Sequence, residues 1–352
     1  MTTGVKAGHG LLLSFIADWL GAAWGLRRLY LAIHESIFMT AVAQDVLPIF
    51  LLILFGWALV RLKILAAEIG DGLGDFVFKV AVPLLLLRTI ANADFHGASP
   101  FRLWIAYFSG VFVAWAVGHL IATRVFKRDE RLGVLAGVSS AFANNVFIGL
   151  PLVERTVGPE GIVAMSILLA VHLPLMMIAG VLAMERAEQK SGGRKAENVV
   201  AVLRQVGLNL IRNPLIIGLA GGILLQVVGT PVPAIIDGVV AQVAGMAAPA
   251  ALISLGMTLN KYGMAGNVKI AGSISLLKLG LMPGVVWLAS TLLGLSPQWT
   301  AALVLTSSVP TGINAWLIAS RFGVGQGLAA SVITLSTAAG VVTVSLWALL
   351  LL

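Results

Sequence analysis

Ten apolar runs, each of the length a helix needs to cross the hydrocarbon core of a bilayer, leave this chain one plausible solvent. They lie near 46 to 62, 75 to 93, 101 to 123, 132 to 153 and 161 to 184, and again near 206 to 228, 237 to 259, 268 to 294, 299 to 319 and 327 to 352. Only 11% of the 352 residues are charged and 59% are hydrophobic, far outside the range of a soluble domain. The formal charge of +8 does not point to nucleic acid, because the basic residues are scattered through the short gaps between runs and form no stripe beside aromatics. With no cysteine, disulfides and thiolate chemistry are excluded.

The gaps orient the runs. Loops 1-2, 3-4, 5-6, 7-8 and 9-10 collect the basic residues, among them Arg61, Lys63, Arg124, Lys127, Arg131, Lys261 and Arg321, whereas the opposite loops hold Arg102 and Arg155. The positive-inside rule then puts the start of the first run and the C-terminus outside a cell's inner (cytoplasmic) membrane. The polar stretch "ERAEQKSGGRKAEN" at 185 to 198 reads as a cytoplasmic linker.

That linker divides the ten runs into fives. Sliding the chain by 166 residues lays Pro48 on Pro214, Gly56 on Gly222, Pro83 on Pro249 and Arg155 on Arg321. At 167, "SSAFAN" lies over "TSSVPT", which sets Asn144 over Thr311 and Asn145 over Gly312. Five spans per half force the second half to enter upside down. The expected fold is an all-α membrane protein, ten transmembrane helices in a 5+5 inverted repeat with broken crossover helices. Its parts are an N-terminal extension (1 to 38), a first repeat (39 to 184), a linker (185 to 205) and a second repeat (206 to 352).

Spans 4 and 9 are the expected breaks. Pro310 cannot donate a helical hydrogen bond and Gly312 permits an open backbone, while Asn144 and Asn145 put polar groups at mid-depth. Backbone broken inside a bilayer must line a cavity or be satisfied by protein, and half-helix N-termini there favour an anion. A lone intramembrane Asn also serves as an interhelical hydrogen-bonding residue, and a lone Pro as a kink. Recurrence in both halves favours a site built from Asn144, Asn145, Pro310, Thr311, Gly312 and Asn314.

The segments "LPIFLLILFGWALVRLKIL" (47 to 65), "SSAFANNVFIGLPL" (139 to 152), "AAPAALISLGMTL" (247 to 259) and "SSVPTGINAWLIASRF" (307 to 322) resemble the auxin efflux carrier family from about residue 45 onward. The resemblance implies a fold similar to sodium/proton antiporters and bile-acid carriers. Spans 1, 2, 6 and 7 would form a scaffold, spans 3 to 5 and 8 to 10 a mobile, elevator-type transport domain, and substrate would bind where spans 4 and 9 cross. Ala143 stands where plant members carry a proline, and Thr311 where they usually carry Gln. Bacterial members are described as malonate or malate permeases, so the implied cargo is a small organic anion. The implied partners are that anion and the lipid bilayer, with a homodimer through the scaffold helices as one possible assembly and no nucleic acid.

No Asp or Glu lies inside a span, so uniport, exchange or the membrane potential acting on the anion's charge remain as drives. His119 and His172 are the titratable candidates, each either a hydrogen-bonding residue or a proton relay. Lys278, deep in span 8, either snorkels toward the interface or compensates charge at the broken helices. Ser139, Ser140 and His172 show no triad spacing, so an enzyme is not expected, and neither cofactor nor metal is implied. An anion channel or a non-transporting receptor of the same fold is the alternative. Residues 1 to 38 read as an interfacial helix or as upstream sequence before the start at Met39, outside the transport machine.

Overall fold

The structure is a computed structural model describing residues 44–93, 99–190, 208, 211–229, 232–262 and 268–352. The extension read at 1 to 38 and most of the linker read at 185 to 205 lie outside the described residues. Every regular element among the described residues is helical. In chain order these are α1 (Gln44–Arg61), α2 (Ala67–Phe76), α3 (Val82–Ala91), α4 (Pro100–Leu120) and α5 (Glu130–Ala141). Next come α6 (Leu150–Thr156), α7 (Pro159–Lys190), α8 (Pro214–Val228), α9 (Ala234–Gly245) and α10 (Ala247–Leu259). The last five are α11 (Val268–Leu276), α12 (Met282–Leu292), α13 (Pro297–Ser308), α14 (Asn314–Phe322) and α15 (Gln326–Leu351).

Six stretches are long and apolar enough to cross a membrane: Gln44–Arg61, Pro100–Val125, Pro159–Lys190, Ala234–Leu259, Val268–Leu292 and Gln326–Leu351. Large apolar side chains such as Leu51, Phe55, Ile105, Phe112, Ile223 and Leu292 stand at least half exposed on these and neighbouring helices. Water would not tolerate so much uncovered apolar surface, whereas lipid is the matching solvent. This is a multi-pass membrane protein.

Local chemistry sets the helix starts. Pro100, Pro159, Pro214 and Pro297 occupy first-turn positions, where the missing N–H costs nothing. Asp129, Asn213 and Ser296 accept from the first-turn amides of Leu132, Leu215 and Trp299. Inside the runs proline has another effect. Three widened π-turns, Val77–Ala81, Asn145–Gly149 and Leu277–Leu281, each end two residues before a proline, respectively Pro83, Pro151 and Pro283. A proline ring clashes with the carbonyl four residues back. The backbone answers by drawing the N–H before each proline to the carbonyl five residues back, as from Val82 to Val77 and from Met282 to Leu277.

Two close helix contacts depend on glycine. A Cβ at Gly56 of α1 would overlap the backbone of Ile253 in α10, and a Cβ at Gly222 of α8 would overlap the carbonyl of Leu87 in α3. α7 continues to Lys190, beyond the apolar run that ends near 184.

Candidate functional site

The segments expected to break do so, and they meet. α5 stops at Ala141, and the chain passes through Phe142 (φ −87°, ψ 92°) and Asn144 (φ −80°, ψ 64°) into the π-turn that leads to α6. α13 stops at Ser308, and Val309 (φ −66°, ψ 157°), Pro310, Thr311 and Gly312 connect it to α14. The conformation of Val309 is the extended one that a following proline imposes. The two open stretches cross as an antiparallel bridge between Ala143 and Thr311. The Asn144 amide donates to the Pro310 carbonyl at 3.0 Å and the Gly312 amide to the Phe142 carbonyl at 2.8 Å. Gly312 eases this approach, since a Cβ there would stand 3.2 Å from the Ala143 carbonyl oxygen and the neighbouring backbone would have to give by a few tenths of an ångström.

The bridge pairs Ala143 with Thr311, a separation of 168 residues, against 167 for the side-chain alignment.

Around the crossing, buried polar groups find protein partners, as the low dielectric demands. Asn145 Nδ2 donates to the Tyr107 hydroxyl at 3.0 Å, and Thr306 Oγ1 donates to Asn145 Oδ1 at 3.0 Å. The Thr311 hydroxyl donates to the Ser139 carbonyl at 2.7 Å, and the Thr311 amide donates to Ser336 Oγ at 3.1 Å. Asn145 and Thr311 are thus committed to holding the crossing. Asn144 and Asn314 differ. Each makes no side-chain hydrogen bond to a described residue, with Asn144 nearly buried in the break and Asn314 half-buried at the start of α14. Of the first-turn amides of α14, that of Ala315 donates to the Gly312 carbonyl at 3.1 Å, while those of Asn314 and Trp316 have no intrahelical acceptor.

Lys278 is wholly buried and does not reach an interface. It sits in the π-turn ahead of Pro283, and its Nζ donates to the Ser307 carbonyl at 2.5 Å, in the last turn of α13. A helix C-terminus carries partial negative charge and free carbonyls, so an ammonium is well placed there. No ion pair joins Lys278 to an acidic group among the described residues.

Sequence reading missed Tyr107, Thr306 and Ser336. A fully buried tyrosine in an apolar run is a signal that its hydroxyl has a partner, but not which one. A cavity of about 1290 Å³ opens at one end of the helix bundle, lined by Arg88, Asn92, Arg102, Glu154, Gln226 and Asp237 among others, and by none of the six crossing residues. There Arg88 holds Asp237 through a two-pronged pair, Nε to Oδ1 at 2.9 Å and Nη2 to Oδ2 at 3.2 Å. Among the described residues no group of three or more His, Asp or Glu could hold a metal ion.

The family model described as "Membrane transport protein" matches residues 41–348. The chain belongs to this family. Membership agrees with the resemblance to auxin efflux carriers carried by the motifs, and the match spans both crossing segments. Relatives in the family include the "Putative malonate transporter" of Rhizobium meliloti (strain 1021), 25% identical over 315 residues, covering 87% of this chain and 95% of that protein. An "Uncharacterized transporter" of Methanothermobacter thermautotrophicus is 28% identical over 320 residues, covering 88% and 98%. The "Uncharacterized transporter YfdV" of Escherichia coli (strain K12) is 23% identical over 314 residues, covering 88% and 97%. The family and these three relatives are all named for transport.

Proposed function

We propose that this transporter carries a small organic anion, a mono- or dicarboxylate, bound where α5/α6 cross α13/α14, and moves it by elevator-type alternating access. One observation carries the reading: Lys278 places an ammonium in the protein interior with no carboxylate to pair with it. An unpaired buried charge is among the least stable arrangements a fold can hold, and an anion delivered to that point offsets it. Asn144, Asn314 and the free first-turn amides of α14 supply donors for the anion. Asn145, Pro310, Thr311 and Gly312 shape and brace the crossing. Malonate, the cargo in the name of the Rhizobium relative, is the first candidate.

Elevator movement rests on a 5+5 inverted repeat, and one pair of close helix contacts supports that repeat. The close contacts Gly56 with Ile253 and Gly222 with Leu87 exchange under the shift of 166. Residues 39 to 184 and 206 to 352 would then be the two repeats, in the inner membrane with the start of α1 and the C-terminus outside.

The test is uptake and countertransport in proteoliposomes against a panel of mono- and dicarboxylates. Saturable flux stimulated by anion on the opposite side is the expected result. Flux at channel-like rates without countertransport, or binding without flux, would replace the carrier by a channel or a receptor.

A further inference from the structure

His172 lies midway along α7, its ring 2% exposed and its Nε2 without a hydrogen-bond partner. Three aromatic rings wall it in. Tyr107 meets it edge-on at 5.5 Å between centroids, Phe142 edge-on at 5.3 Å, and Phe108 lies nearly parallel at 6.4 Å. Two of these walls belong to the crossing, since Phe142 supplies a bridge carbonyl and Tyr107 holds Asn145. Pro174, two residues on in the same helix, takes away the N–H that would have served the Ala170 carbonyl. As packing alone, this pocket is better filled by a leucine or a phenylalanine, which bury no unpaired nitrogen.

We propose that His172 is a proton-binding site and that the transporter is a proton–anion symporter, taking up one proton on the imidazole with each anion bound at the crossing. This rests on the anion reading given above. In the empty protein a proton on His172 would add a second unpaired cation to an interior that already holds Lys278. Burying a further charge without a partner opposes that state. An anion at the crossing reverses the balance, because one negative charge then faces both cations. Proton and anion therefore promote each other's binding by the same factor. The proton enters with the anion from one side and leaves with it on the other, so charge and protons balance over the cycle.

No nearer group competes for this role among the described residues. Tyr107 is the titratable group against the ring, and Lys278 is the other titratable group buried in the interior. The other charges on helices packed against α7, namely Arg88, Arg102, His119, Glu130, Arg131, Glu154, Arg155 and Arg321, stand in first or last turns. The charged residues of α7 itself are Glu160 and those from Glu185 onward.

The experiment uses the purified full-length protein and malonate, with the carboxylate panel behind it. Titration calorimetry in two buffers of different ionisation heat counts protons taken up per anion, and affinity is followed across pH. The expected wild-type result is about one proton per anion, with affinity falling roughly tenfold per pH unit between the free-state and the bound-state titration ranges of His172 and levelling off above them. In His172→Gln, with His172→Asn as a second variant should that one not fold, proton uptake and this pH dependence disappear. A pH dependence that persists in the variant belongs to the ligand's own carboxyl group and overturns the proposal. Binding or exchange by the wild type without proton uptake overturns it as well, and leaves the anion site standing. No binding or exchange of any carboxylate removes the anion reading, and the symport reading with it.

Discussion

The two crossing stretches share a backbone and differ in chemistry. Each stretch supplies one carbonyl and one amide to the bridge, at equivalent positions. The helices leading into the crossing also end in equivalent orphan carbonyls, Ser139 and Ser307 under the shift of 168. Ser139 is capped by the Thr311 hydroxyl and Ser307 by the Lys278 ammonium. The difference follows from one position. Ala143 is the counterpart of Thr311 and has no hydroxyl to offer Ser307, so a cation from a neighbouring helix takes the place. Likewise Ile313 stands where Asn145 does, and the bond from the Thr306 hydroxyl to Asn145 Oδ1 has no counterpart. Symmetric backbone pairing therefore coexists with a one-sided placement of positive charge, the feature on which the anion reading proposed above rests.

The sharpest way to break this comparison is Lys278→Met. Flux is expected to fall at least about tenfold, while melting temperature changes less, because relief of a buried charge partly cancels the lost bond to Ser307. Adding Ala143→Ser supplies a hydroxyl at the position matching Thr311. If that double variant regains flux together with stability, the charge is irrelevant and the two caps are interchangeable. Next in size is Asn144→Ala. Losing one charge-assisted hydrogen bond costs about 1.5 to 3 kcal/mol, so anion affinity should drop roughly tenfold or more with folding intact, and unchanged affinity would remove Asn144 from the site.

Thr311→Val tests the neutral cap. The Ser139 carbonyl is left buried without its donor, at about 1 to 3 kcal/mol, read as a lowered melting temperature that Thr311→Ser largely avoids. Equal stability of Thr311→Val and wild type would show that the first half needs no cap. The smallest effect belongs to Ala143→Ser alone, about 0.5 to 1.5 kcal/mol of added stability at most, since its hydroxyl shares an acceptor that Lys278 already occupies.

The sequence made the helices legible because a bilayer allows few alternatives to an apolar helix, and the breaks legible because proline, glycine and paired asparagines contradict one. Lys278 stood out by the same logic, although its length of side chain left snorkelling open until its partner at Ser307 was seen. Three features were out of reach. The one-residue difference in register comes from backbone pairing, to which side-chain identity contributes nothing. The setting of His172 is assembled from α4, α7 and the break after α5, far apart along the chain. The division of labour between Asn144, left unbonded, and Asn145, tied to Tyr107 and Thr306, turns on which way two adjacent side chains point. The π-turns, by contrast, had a readable cause in Pro83, Pro151 and Pro283.

The bridge at the crossing is made of main-chain atoms alone, and this bears on how such a protein changes over generations. Such a joint leaves Ala143 free to differ from Thr311 and Asn144 from Gly312, although Thr311 and Gly312 each have a further task, one capping Ser139 and the other keeping the approach close. Ala143 and Asn144, whose side chains make no hydrogen bond to a described residue, are thus the positions least bound by the architecture. Under the anion reading proposed above, a lineage alters what it carries by substitution at these positions and keeps the joint.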